Sequence, residues 1–80
     1  MCVKLLVGNL SSAVAGFDLE NLFEDFGTVL RAGIITNPAT GRNTCHGFVE
    51  MSSQDAAQAA VAALNGEQLD GKAMTVRRAD

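Results

Sequence analysis

The sequence predicts one small α+β domain whose elements follow in the order β-α-β-β-α-β. Four segments alternate between apolar and polar residues, which is typical of strands with one buried face. Two other segments repeat apolar residues at the spacing of an amphipathic helix. The 80 residues leave room for one core only, and 48% of them are hydrophobic, which is enough to build it.

The first strand and the first helix both show a clear period. Residues 3–8 place Val3, Leu5 and Val7 inward and Lys4, Leu6 and Gly8 outward. The predicted first helix is Asp18–Phe26, with its apolar stripe at Leu19, Leu22, Phe23 and Phe26. Gly27 suits the end of this helix. Its start is weak, because Ala15 stands where a good capping residue would stabilise the helix by about 0.5–2 kcal/mol.

The second and third strands are joined by a predicted turn at Asn37–Gly41, where Pro and Gly are suited to turn geometry. The second strand is Thr28–Thr36, with its core side at Val29, Ala32 and Ile34. The third strand is Asn43–Met51, and alternation directs Cys45, Val49 and Met51 toward the core. We therefore expect Phe48 to be exposed and Cys45 to be buried as a small hydrophobic residue.

The second helix and the last strand complete the order. Ser52 and Asp55 have the spacing of a capping box at the start of a helix that continues through Ala56–Leu64. Lys72–Arg78 is the last strand, with Met74 and Val76 inward. These elements predict a ferredoxin-like sandwich with a four-stranded antiparallel sheet and both helices on one face. The other face of the sheet is left open.

Two motifs in these strands resemble those of the RNA-recognition motif (RRM) family. Residues 5–10, LLVGNL, are similar to its RNP2 motif, and residues 47–51, GFVEM, are similar to the second half of RNP1. Their separation fits the family, and the resemblance covers roughly residues 3–79. It implies that residues 1–80 form a single RRM domain, similar to small bacterial single-RRM proteins, which binds single-stranded RNA, or DNA, on the open sheet face.

The resemblance also implies which residues bind. The stacking positions of the family, which are commonly aromatic, fall on Leu6, His46 and Phe48. Phe48 alone keeps a full aromatic ring, and Thr44 stands where RNP1 has a basic residue. The incomplete platform implies a loss of about 2–4 kcal/mol of stacking, so we expect weak binding. The complete predicted RNA-binding set is Lys4, Leu6, Asn9, Arg42, His46, Phe48, Arg77 and Arg78.

The net charge of −3 is unusual for a nucleic-acid-binding protein, whose binding surface is usually basic. The distribution of the charges is nevertheless compatible with nucleic-acid binding. Four of the nine acidic residues fall in the predicted first helix, whereas all six basic residues fall in predicted strands or beside them. We therefore expect an acidic helix layer and a more basic sheet face.

Other function classes find little support in the sequence. The only histidine, His46, is adjacent to Cys45, and neighbouring strand residues face opposite ways, which excludes a nucleophile–base pair. We expect no enzyme, no metal site, no cofactor and no membrane span, because the spacings and the roughly 20-residue apolar run that these need are absent. Two cysteines without a paired spacing favour a reducing cytoplasm.

A protein-interaction domain remains the alternative interpretation. Leu6, Ile35 and Phe48 would form an apolar patch on the open face, and such a patch can contact a protein partner or a second copy of the chain. The acidic composition and the incomplete stacking platform favour this alternative. The segregated basic residues and the retained Phe48 favour single-stranded nucleic acid.

Overall fold

The computed structural model describes residues 3–41 and 43–79, which form two helices and six strands. The helices are α1 (Gly16–Glu24) and α2 (Gln54–Leu64), and the strands are β1 (Val3–Gly8), β2 (Val29–Thr36), β3 (Asn43–Met51), β4 (Gln68–Leu69), β5 (Lys72–Ala73) and β6 (Thr75–Arg78). The order β2-β3-β1-β6 makes a four-stranded sheet whose neighbours are all antiparallel, and β4 with β5 makes a separate hairpin. The predicted sandwich is confirmed.

The core lies between the two helices and one face of the four-stranded sheet. Alternate residues of β1 and β3 are buried there, and α1 and α2 contribute their apolar stripes to the same cluster. The side chains with no exposed surface are those of Leu5, Leu19, Phe23, Val49, Met51, Ala57 and Ala60. The predicted inward register of β1 and the burial of Val49 and Met51 are therefore confirmed. Met74 and Val76 are buried as well.

Each end of the β2–β3 pairing departs from regular alternation. Val29 is opposite Met51 and Arg31 is opposite Glu50, so Leu30 is an extra residue on β2 and is 52% exposed. This bulge explains why Val29 and Ala32, three positions apart, both pack against the core.

At the other end, Ile35 is opposite His46 and Thr36 is opposite Asn43, which leaves Thr44 and Cys45 as extra residues on β3. Cys45 has φ of 63° and is half-buried, so the expectation of a buried Cys45 is wrong. The physical reason is the irregular backbone, which interrupts the alternation that would direct this side chain under a helix. The Thr44 hydroxyl donates to the carbonyl of Ile35 at 2.6 Å. This backbone carbonyl, which lies next to the irregularity, therefore has a hydrogen-bond partner.

Both helices begin differently from the sequence prediction. Helix α1 begins at Gly16, two residues before the predicted start, and ends at Glu24. The Asp18 carboxylate accepts from the Ala15 N–H at 2.9 Å, which stabilises this earlier first turn. Gly16 also allows the helix start to approach β2, because a Cβ at Gly16 would lie 3.1 Å from the Ala32 carbonyl oxygen.

The cap of α2 is Ser53 rather than Ser52. The Ser53 hydroxyl accepts from the Ala56 N–H at 3.2 Å, and its backbone is extended as an N-cap requires. Ser52 instead uses its backbone N–H to donate to the Thr28 carbonyl at 3.1 Å, which ties the end of β3 to the start of β2. The helix therefore does not begin with the capping box that was predicted from the spacing of Ser52 and Asp55.

The predicted last strand, Lys72–Arg78, is divided into two. Its first residues pair with β4 as β5, and those after Met74 pair with β1 as β6. Asp70 and Gly71 connect β4 to β5 with φ of 54° and 82°, as a tight hairpin turn requires. Local hairpin pairing thus competes with the central sheet for this segment, and alternation alone does not show that division.

The two adjacent serines at the start of α2 provide a test of this cap. We expect Ser53→Ala to lower the free energy of unfolding by about 0.5–2 kcal/mol, because the Ala56 N–H loses its acceptor. Ser52→Ala is the matched control and should change it by no more than about 0.5 kcal/mol, as an exposed side chain does. Urea unfolding of both variants measures the difference. Equal effects of the two substitutions would contradict the assigned cap.

Candidate nucleic-acid interface

The face of the sheet opposite the helices carries most of the residues singled out in the sequence. The register aligns Gly33, Phe48, Leu6 and Arg77 in one row across the four strands. A neighbouring row contains Arg31, Glu50 and Lys4. We call this surface, made by the outward residues of β1, β2, β3 and β6, the open face.

Phe48 lies at the centre of the open face between two positive side chains. The Lys4 Nζ is 5.4 Å from the centroid of its ring, and the Arg31 Cζ is 5.9 Å from the same point, both within the range of cation–π attraction. The ring leans over Gly33, where a Cβ would be 2.9 Å from the Phe48 Cε1. These neighbours cover part of Phe48, which is half-buried rather than exposed as predicted.

Arg31 is a candidate binding residue that the sequence prediction omitted. Its side chain is exposed on the open face beside Phe48. The alternation of Arg31, Gly33 and Ile35 could have placed it there. The bulge at Leu30 makes this alternation hard to recognise in the sequence, because the residues before the bulge alternate in the opposite sense to those after it.

Leu6 and His46 occupy the other two predicted stacking positions. Leu6 is half-buried and is opposite Phe48 on β3 and Arg77 on β6. His46 is exposed, and its Nδ1 is 2.8 Å from the carbonyl oxygen of Thr44. Both therefore share the face of Phe48, so the three predicted stacking residues lie on one surface.

The two arginines at the end of β6 lie on different faces of the sheet. Arg77 is exposed and is opposite Leu6, whereas Arg78 is half-buried and is opposite the core residue Leu5. On the helix side, Gln54 lies against the Arg78 guanidinium, and with its amide oriented to face that group its oxygen accepts from both terminal nitrogens, at 3.2 and 3.1 Å. The geometry groups Arg77 with Phe48 and separates Arg78 from it.

Three predicted residues remain, and the first of them, Asn9, lies just after the end of β1. Asn9 has φ of 57° and its side-chain amide donates to the carbonyl of Ala73 at 2.7 Å, which ties the end of β1 to the β4–β5 hairpin. Arg42, predicted to contact phosphate, lies outside the described residues. Lys4 is exposed on the open face.

Within residues 3–41 and 43–79, no group of three or more histidine, cysteine or acidic side chains is arranged to hold a metal ion. Over the same residues, neither helix has the length and apolar character needed to cross a membrane.

Comparison with known proteins agrees with this geometry. The family model of the RNA recognition motif matches residues 5–75. A putative RNA-binding protein, RbpE, of the cyanobacterium Nostoc is 40% identical over 77 residues, which cover 96% of this chain and 78% of that protein. The crystal structure of the RNA-binding protein PG1 is 35% identical with a TM-score of 0.92, and the match covers 96% of this chain and 93% of that one.

A second similar structure is the second RRM domain of the yeast poly(U)-binding protein Pub1. It is 33% identical with a TM-score of 0.89, over 98% of this chain and 94% of that one. The chain spans 22 to 34% of the length of several longer curated relatives. Proteins of the matched family are RNA-binding and non-enzymatic, which agrees with the expectation of a binding module. The two predicted motifs, the sheet order and the match over residues 5–75 lead to one conclusion: this chain belongs to the RNA recognition motif family.

Proposed function

We propose that the open face binds single-stranded RNA, or single-stranded DNA, with Phe48 as its principal stacking residue. The observation that carries this proposal is the position of Phe48 between Lys4 and Arg31, in the same row as Arg77. An aromatic ring beside several cations is suited to a base and the phosphates that flank it. A titration with short oligouridine, followed by amide chemical shifts, tests whether the shifts fall on this face.

The residues of the open face take different roles in the proposed complex. A base stacks on Phe48, which contributes about 1–3 kcal/mol. Leu6 packs against a base or a sugar, and His46 offers a smaller ring. Lys4, Arg31 and Arg77 attract phosphates, and Arg42, which precedes β3 in the sequence, remains a predicted phosphate contact. Because Leu6 offers no ring, we propose that the binding is weak.

The negative net charge is compatible with this proposal, because the acidic residues of α1 lie on the other side of the molecule. Asp18, Glu20 and Glu24 are exposed on α1, which covers the face of the sheet opposite Phe48. Charges farther apart than about 8–10 Å are largely screened at physiological salt. The local charge of the open face therefore matters more for a bound strand than the total, and Glu50 is its acidic member.

Two relatives support the choice of ligand. RbpE of Nostoc is described as a putative RNA-binding protein, and yeast Pub1 as a poly(U)-binding one. A bacterial origin is likewise a proposal that the match to RbpE supports. A cytoplasmic location is proposed on the unpaired spacing of the two cysteines in the sequence alone.

A second candidate function is contact with a protein partner or with another copy of this chain. The observation that favours it is the 41% exposure of Ile35, which lies on the open face opposite His46 and close to Leu6. In this case Leu6, Ile35 and Phe48 form the contact. Sedimentation of the free chain across a range of concentrations would show self-association.

Removing the ring of Phe48 tests the stacking role. We expect Phe48→Ala to weaken oligouridine binding by about 1–3 kcal/mol, measured by fluorescence anisotropy. Phe17→Ala is the matched control, because Phe17 is 70% exposed on α1 and should leave affinity unchanged. If Phe48→Ala leaves RNA affinity unchanged and dissolves a dimer, the second candidate function is correct instead.

Adding a ring at Leu6 tests whether the platform is incomplete. We expect Leu6→Tyr to strengthen oligonucleotide binding by about 1–2 kcal/mol, the lower part of the stacking range. The thermal midpoint of this variant should be measured first, so that a change in folding is not mistaken for a change in binding. Unchanged or weaker RNA affinity in a folded variant would contradict a stacking role for this position.

The two arginines of β6 form a matched pair for the electrostatic part of the proposal. We expect Arg77→Ala to flatten the slope of log K against log salt by roughly 0.7, the value for one phosphate contact on a single strand. Arg78→Ala should leave the slope unchanged, because that side chain lies on the helix side. Equal effects of the two substitutions would contradict the assignment of faces.

A further inference from the structure

A pocket of about 390 Å³ lies on the open face next to Phe48. Gly8 contributes to it from β1, and Leu6 and Ile35 provide its apolar walls. His46, Thr75 and Arg77 provide polar groups. Small-molecule sites commonly have volumes of about 300–1,000 Å³ and combine apolar walls with a few placed polar groups. The pocket therefore has the character of a site for a compact, planar, partly polar group.

The hydrogen bond of His46 determines what this residue presents to the pocket. Its Nδ1 is 2.8 Å from the carbonyl oxygen of Thr44, and a carbonyl oxygen can only accept. The proton of the neutral imidazole must therefore be on Nδ1. Neutral imidazole has one donor and one acceptor nitrogen, so Nε2 is a hydrogen-bond acceptor.

Because residue 8 is a glycine, the Nε2 edge of His46 and the hydroxyl of Thr75 face the same open space. An added Cβ at Gly8 would lie 3.5 Å from the His46 Nε2 and 2.7 Å from the Thr75 Oγ1. Any side chain at this position would therefore fill the space between these two atoms. With glycine there, an acceptor nitrogen and a hydroxyl converge on one point of the open face.

We propose that this pocket takes the edge of one unpaired nucleobase, with the His46 Nε2 accepting a hydrogen bond from a base N–H. The Thr75 hydroxyl, which can donate or accept, pairs with the neighbouring atom of that edge. Adenine, cytosine and uracil each carry N–H donors beside acceptors on the edge that an unpaired strand exposes. His46 is then a specificity-determining residue, and its ring need not stack. This proposal rests on the proposed binding of single strands.

The test compares oligonucleotides that differ only in a base N–H. Four pairs serve: uridine against uridine methylated on its ring N–H, cytidine and adenosine each against the form dimethylated on its exocyclic amine, and guanosine against the form methylated on both its ring N–H and its amine. The wild-type chain should prefer the unmodified member of at least one pair. The preference should be roughly two- to tenfold, the net value of one neutral hydrogen bond.

Two comparisons attribute that preference to His46. His46→Phe keeps a ring and removes the acceptor, so the preference should disappear while oligonucleotides still bind. His46→Leu also removes the acceptor and should abolish the preference, which decides the matter if His46→Phe does not fold. Thr75→Val should reduce the preference in part.

Several results would overturn the proposal. A preference that is equal in the wild-type chain and in folded His46→Phe would show that the added methyl groups only clash. A preference that is absent from all four pairs would also refute it. In each of these cases oligonucleotides bind, and the proposed function stands. If no oligonucleotide binds the wild-type chain, the proposed function fails and this inference fails with it.

Discussion

The antiparallel pairing of β1 with β3 is the constraint on which the rest of the structure depends. Leu5 pairs with Val49, and Leu6 pairs with Phe48. Because strand side chains alternate, the same register that buries Leu5 and Val49 under the helices directs Leu6 and Phe48 to the open face. A shift of one residue would exchange the two sets. The energy of the apolar core therefore also maintains the position of the candidate binding residues.

Small residues shape the open face around its larger ones. Gly33 leaves room for the ring of Phe48, and Gly8 leaves room for the edge of His46. On the buried side of the sheet Gly47 has a related role, because a Cβ there would be 2.7 Å from a methyl group of Leu19. The aromatic groups and the first helix thus contact the backbone of the sheet closely, and bulkier residues at these positions would displace them.

The irregularities of the sheet lie at the ends of the β2–β3 pairing. The bulge at Leu30 returns Arg31 to the open face beside Phe48, and the extra residues at the start of β3 bring the Thr44 carbonyl to the Nδ1 of His46. The bulge also lets Val29 and Ala32 both pack against the core. Each irregularity determines the direction or the tautomer of a side chain on the surface that we propose to bind nucleic acid.

The sequence by itself determined the class and order of the elements, the inward residues of the central strands and the face that carries Leu6, His46 and Phe48. These follow from short-range periodicity, because one buried face per strand forces a strict alternation. The tertiary structure decided the start of α1, the cap of α2, the division of the last strand and the half-buried state of Cys45. It also separated Arg77 from Arg78 and placed Arg31 beside Phe48. Each of these depends on contacts between residues distant in sequence, or on a change of register, which local periodicity does not encode.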